Sequence, residues 1–106
     1  MLDLVAKKLF LTKGVGVADD KLTSFEFALR QAGIAGTNIV LISSIFPPNA
    51  KLIPRKDGLK LIKPGQILFT IYSRNQTNES NRLVSASVGI AQPKDRSKYG
   101  YLSEYD

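Results

Sequence analysis

The feature that most constrains this chain is the run Asn38-Ile39-Val40-Leu41-Ile42-Ser43-Ser44-Ile45-Phe46-Pro47-Pro48. Its β-branched and apolar residues predict a buried strand over residues 38–46. Pro47-Pro48 ends it, because proline has no N–H to donate to a ladder. The Ser43-Ser44 pair is the odd element. Serine belongs to strand boundaries more than to strand interiors. Burying two hydroxyls costs free energy unless both are hydrogen-bonded. The pair is therefore either a strand end with satisfied hydroxyls or a site with chemistry of its own.

Around this run the pattern is mostly β. Residues 9–17 read as a strand entering the glycine-bearing segment Gly14-Val15-Gly16, and Asp19-Asp20-Lys21 reads as a polar turn. Phe25, Leu29 and Ala32 recur at helical spacing, so residues 23–32 predict a helix that Gly33 stops. Thr23 and Glu26 fit a capping box, with Thr23 as N-cap and Glu26 at N3. Residues 51–54 predict a short edge strand, Lys63-Pro64-Gly65 a turn, and residues 66–73, 82–91 and 98–105 further strands, with a polar loop over 74–81. Ala86, Val88 and Ile90 share one face of the strand at 82–91. One helix covers only part of one face of such a sheet, so more cover is expected from a second layer or from neighbouring subunits.

At 106 residues the expectation is one domain. The chain has no cysteine and no histidine. That removes thiol nucleophiles, disulfides and thiolate metal sites, together with the usual general base near neutral pH and the commonest metal ligand. Any catalysis must run on carboxylates, hydroxyls, lysines, amides or a cofactor, and no metal site is expected. No apolar run approaches the roughly 20 residues needed to span a bilayer. No secretory leader is read at the start, so the cytoplasm is the expected compartment and no membrane partner is expected. The net charge of +6 raises the reading of a basic nucleic-acid-binding domain. The basic residues are scattered from Lys7 to Lys98 without an aromatic-interleaved stripe, so no nucleic-acid partner is expected.

Several segments, in order, resemble the pyruvoyl-dependent arginine decarboxylase family. They are Phe10-Leu11-Thr12-Lys13-Gly14-Val15-Gly16, the run from Leu22 to Ile34, the Asn38 to Pro48 run, and Gly100-Tyr101-Leu102-Ser103-Glu104-Tyr105. The most specific element is Ser-Ser-Ile-x-Pro-Pro with an asparagine five positions before its first serine. The resemblance implies an α+β fold, a layered α/β/β/α-type sandwich of the pyruvoyl-dependent decarboxylase kind. It also implies a self-cleaving proenzyme. Ser44 attacks the carbonyl of Ser43, and the resulting ester eliminates. The residue left at position 44 becomes a pyruvoyl group, the enzyme's own cofactor. The mature protein would be a β chain, residues 1–43, and an α chain, residues 44–106, together one decarboxylase domain. The ketone serves as an electron sink, the role that pyridoxal phosphate fills elsewhere. The implied reaction converts L-arginine to agmatine and carbon dioxide, in a homotrimer or dimer of trimers with sites between subunits.

By the same resemblance Asn38 assists processing, its amide supporting the Ser43 carbonyl oxygen as charge develops there. Glu104 is the catalytic acid that protonates the α-carbon after decarboxylation; in an apolar pocket its pKa would rise. Glu26 stands where the family carries an acidic residue facing the substrate guanidinium, with Ser24 and Leu22 lining the same pocket. The capping box is the rival reading of Glu26. A solvated carboxylate near a chain end is the rival reading of Glu104, and a strand-start asparagine that of Asn38. A charge of +6 repels a cationic substrate at long range, so local carboxylates (Asp19, Asp20, Glu26 and Glu104) would have to attract it. Family members also continue past the Ser-Glu-Tyr motif with a stretch that includes helix. The expectation is therefore a chain lacking the C-terminal helical part. It would be a truncated form, a member that relies on its oligomer, or a non-processing relic or interaction subunit.

Overall fold

The structure is a computed structural model that describes residues 3–105. It is a mixed α+β arrangement of two helices and three small sheets, in the order β1 (Lys8–Leu9), α1 (Lys21–Ala32), β2 (Asn38–Leu41), β3 (Ile45–Phe46), β4 (Lys51–Leu52), α2 (Arg55–Leu61), β5 (Ile67–Thr70), β6 (Ser87–Ala91) and β7 (Gly100–Tyr105). β1 pairs with β4 and β2 with β5, both parallel, while β7 lies between β3 and β6 in an antiparallel sheet. The core is small. Phe46, Ala50 and Leu102 are buried, with Leu9, Ile71, Val88 and Ile90 packed around them.

α1 starts earlier than the capping-box reading predicts. Asp20 is the N-cap: its carboxylate accepts from the Thr23 N–H at 2.8 Å and from the Thr23 hydroxyl at 2.9 Å. An ionised carboxylate is a stronger acceptor for the orphan N–H groups than a threonine hydroxyl, so the cap falls three residues upstream. Glu26 is thereby moved into the helix body, where it pairs with Arg30. The stop falls where expected. Gly33 takes the left-handed conformation at φ 87°, and the Gly33 and Ile34 N–H groups close back on Arg30 O and Leu29 O.

The segment predicted as a strand over 9–17 is regular only at Lys8–Leu9. Beyond that it runs antiparallel to α1: the Thr12 hydroxyl donates to Ala32 O at 2.7 Å, Gly14 lies on Ala28, and Gly16 on Ser24. Two residues of extended chain rise about 6.6 Å, and four residues of helix about 6.0 Å, so the two repeats stay in step. A Cβ on Gly14 or Gly16 would sit 1.9 Å or 1.8 Å from a helix carbonyl oxygen, which makes glycine a steric requirement there. Arg55, at the start of the unforeseen helix α2, then donates to Thr12 Oγ1 and Gln31 O, closing the carbonyl end of α1.

The predicted single strand over 38–46 is two strands, β2 and β3, in two different sheets. It is also largely unburied. Val40, Leu41, Ile42 and Ile45 are exposed, as are Ile67 and Phe69 of β5. The strand predicted over 82–91 is regular only from Ser87, with Val88 and Ile90 turned to the core as the alternation predicts. Among the described residues no helix is long and apolar enough to cross a membrane.

Candidate active site

The Ser43-Ser44 pair is the link between two sheets. β2 runs beside β5, and the Ile42 N–H still reaches Thr70 O at 3.1 Å. Three residues on, Ile45 is paired with Tyr101 of β7. The antiparallel register of β3 and β7 sets Ser44 opposite Leu102, whose N–H donates to Ser44 O at 2.8 Å. Leu102 points into the core, so Glu104, two residues further, lies on the same side of β7 and opposite Val88 of β6. The result is a contact across 60 positions of sequence: the Ser44 hydroxyl donates to Glu104 Oε1 at 3.3 Å. Ser44 is half-buried, while Ser43 and Glu104 are exposed.

Asn38 lies away from this pair. It is the first residue of β2, and its side-chain amide donates to Gly65 O at 2.9 Å. Ser43 is five positions further along the extended chain, about 16 Å at strand rise. Its amide therefore does not reach the Ser43 carbonyl of its own chain.

The three predicted substrate residues all lie on α1, but not on one face of it. Leu22 and Glu26 are one helical turn apart and share a side, with Leu22 largely exposed. Glu26 Oε1 accepts from Arg30 Nε and lies 3.3 Å from its terminal nitrogen, so a guanidinium already sits on this carboxylate. Ser24 falls on the other side, under Gly16, with its hydroxyl donating to Lys21 O. Of the other candidate acids, Asp20 is engaged at the helix cap. The Thr23 backbone N–H, followed by the Thr23 hydroxyl, holds its carboxyl below the ordinary range. Among the described residues no hydrogen bond or ion pair joins Leu22, Ser24 or Glu26 to Ser44 or Glu104.

The loop after β5 connects these parts, and the sequence reading gave it no role. The Arg74 guanidinium lies 3.7 Å from the centre of the Phe25 ring, and Tyr72 packs tilted against that ring at 5.8 Å. Gln76 donates to Lys21 O, and the Ser73 hydroxyl donates to Tyr105 O at 2.5 Å, next to Glu104. The loop thus ties the first half of α1 to the end of β7 that carries the acid. Nothing in a polar stretch such as Ser73-Arg74-Asn75-Gln76 signals this, because its partners lie far away in sequence.

A serine at a sheet crossover beside a carboxylate, in a chain without histidine or cysteine, defines a hydroxyl–carboxylate site on an α+β scaffold. Comparisons with known proteins give the family. The pyruvoyl-dependent arginine decarboxylase family matches residues 8–106, and the chain belongs to that family. It is 78% identical over its whole length to a pyruvoyl-dependent arginine decarboxylase of Nitrosopumilus maritimus. It is 54% identical over 99% of its length to the protein of that name from Thermoplasma volcanium. A probable pyruvoyl-dependent arginine decarboxylase of Chlorobaculum tepidum is 56% identical over 98% of the chain. In each case the chain spans 58% of the relative's length. The family's name is that of a lyase with a pyruvoyl group and arginine as substrate.

Proposed function

We propose that this chain is the self-cleaving part of a pyruvoyl-dependent decarboxylase that converts L-arginine to agmatine and carbon dioxide. The observation that carries the reading is the Ser44 Oγ to Glu104 Oε1 contact at 3.3 Å, made at the link between two sheets. In the processing step Ser44 Oγ bonds to the Ser43 carbonyl carbon and the Ser43-Ser44 C–N bond breaks, leaving an ester and a free amine on residue 44. Elimination then removes the Ser44 Cα proton, forms the Cα=Cβ bond of dehydroalanine, and breaks the Cβ–Oγ bond to release Ser43 as a carboxylate. Hydrolysis of the dehydroalanine frees ammonia and leaves a pyruvoyl group at position 44. That group supplies the ketone that draws electrons from the substrate's α-carbon.

The surrounding residues fit this chemistry. Cleavage would leave β2 held by β5 and β3 held by β7, so each new end keeps its own sheet partner. β1 and β2 of the predicted β chain, residues 1–43, remain joined to β4 and β5 of the α chain, residues 44–106. The Leu102 N–H on Ser44 O holds position 44 in place through the change. Glu104, beside the Ser44 side chain, is in position to give a proton to the product's α-carbon. The Leu22 and Glu26 side of α1 would receive the guanidinium end of the substrate, Arg30 being displaced from Glu26.

The active unit in this reading is a homotrimer or dimer of trimers, with the layered sandwich completed by further chain or by neighbours. Its support is the position of Asn38, which lies about 16 Å along the strand from its own Ser43 and would serve the Ser43 of a second copy. The test follows agmatine formation together with cleavage. Wild-type chain is expected to cleave and to release agmatine from arginine but not from lysine or ornithine. Ser44→Ala should abolish both, and Glu104→Gln should spare cleavage while removing agmatine formation. Agmatine formation by uncleaved Ser44→Ala would overturn the proposal.

A further inference from the structure

Two clefts flank the β1–β4 pair and share Lys51. One, of about 450 Å³, is lined by Lys7, Lys8, Lys51, Pro48 and Asn49, together with Val5 and Ala6. The other, of about 530 Å³, is lined by Lys51, Leu52, Ile90, Gln92 and Arg96. Three lysines, Lys7, Lys8 and Lys51, line the first cleft, Lys51 and Arg96 are the cations of the second, and no carboxylate lines either. Neither ion pair among the described residues, Glu26 with Arg30 or Glu79 with Arg82, uses any of them.

The register makes this more than a scatter of surface lysines. Lys8 and Lys51 are direct partners in the parallel pair, as are Leu9 and Leu52. Leu9 packs against the buried core, so alternation turns Lys8 and Lys51 together to the outer face. Directly opposed residues on neighbouring strands stand about 4.8 Å apart, and like charges so placed destabilise the pairing. The pair is nevertheless held by Lys51 N–H on Lys7 O at 2.9 Å and Ile53 N–H on Leu9 O at 2.7 Å. Asn49, at φ 60°, donates its N–H to Arg96 O at 2.8 Å, which fixes the chain just before Lys51. A concave site with opposed cations and no acid favours an anion, which both neutralises the repulsion and accepts from several ammonium donors.

We propose that the β1–β4 groove binds a small, multiply charged phosphate-type oxyanion such as a di- or triphosphate group. Inorganic pyrophosphate is the probe, titrated into the chain at constant ionic strength and followed by NMR shifts and thermal unfolding. Wild type should show saturable binding and a raised unfolding midpoint. Lys8→Gln and Lys51→Gln should each weaken binding about tenfold or more, the loss of one charge-assisted bond. Without anion, Lys8→Gln should unfold no earlier than wild type, because it removes the opposed charge. That opposite sign separates lost binding from lost structure. Lys63→Gln, outside the groove, should bind as wild type does. The proposal is overturned if pyrophosphate gives no saturable change, or if Lys63→Gln loses as much affinity as Lys8→Gln. It is also overturned if single-stranded DNA outcompetes pyrophosphate through the same lysines, which would mark a nucleic-acid surface.

Discussion

Asp20 closes the first turn of α1 with both carboxylate oxygens, and its folded-state pKa is lowered chiefly by the Thr23 N–H. A lowered carboxyl pKa contributes stability that is fully present above the ordinary value of 3.8 and is lost as pH falls through the folded value. Helix content followed by circular dichroism through that acid range should therefore fall. The Asp20→Asn chain, which keeps a capping side chain without the titration, should show a shallower fall, and Asp20→Ala should be less helical at neutral pH. At Gly14 the argument is steric. Gly14→Ala forces a methyl group against the Ala28 carbonyl and should cost about 1–3 kcal/mol in chemical denaturation, as overpacking does. A neutral result would mean that the 11–17 segment does not lie on α1. Sequence reading placed Gly14 and Gly16 beside a strand but could not see why they are glycines, because the reason is a helix carbonyl fourteen or eight positions away.

At the scale of elements, α1 was legible because its spacing and its glycine stop are local signals. Its N-cap was misread because two candidate caps, Asp20 and Thr23, stand three residues apart and the stronger acceptor wins. α2 was missed because Gly58 interrupts Arg55–Leu61, and glycine weakens a helix that here is fixed by tertiary contact with Phe10. The 38–46 run read as one strand because propensity does not report a change of sheet, and only the long-range pairing with Tyr101 does. Ser44 and Glu104 were each singled out through family resemblance, but their contact was not foreseen, since no local pattern joins residues 60 positions apart. The separation of Asn38 from its own Ser43 gives a prediction at this scale. When Asn38→Ala and Ser44→Ala chains are mixed in one oligomer, the Asn38→Ala chain should be cleaved faster than it is alone. In the proposed oligomer the Asn38 that serves it would belong to its neighbour. An unchanged rate, read by intact mass over time, would contradict action between copies.

The whole molecule has the surface of something made to be covered. Its accessible area is 8212 Å², against about 5,800 Å² for a folded monomer of this mass, and its radius of gyration is 15.2 Å, against about 13 Å. The excess, about 2,400 Å², is roughly three times what one partner buries in an interface of standard size. Large apolar side chains lie on it: Val40, Ile67 and Phe69 are exposed on a parallel strand pair, a kind of sheet found almost only with both faces covered. Light scattering on the purified chain should therefore give a multiple of 11.6 kDa, and a compact monomer with cooperative unfolding would refute this point. Cleavage between Ser43 and Ser44 is read from the intact mass of the purified protein under denaturing conditions. Two fragments are predicted, split after Ser43, the larger with an N-terminus blocked by a pyruvoyl group. A single chain of 11.6 kDa after prolonged incubation would contradict it.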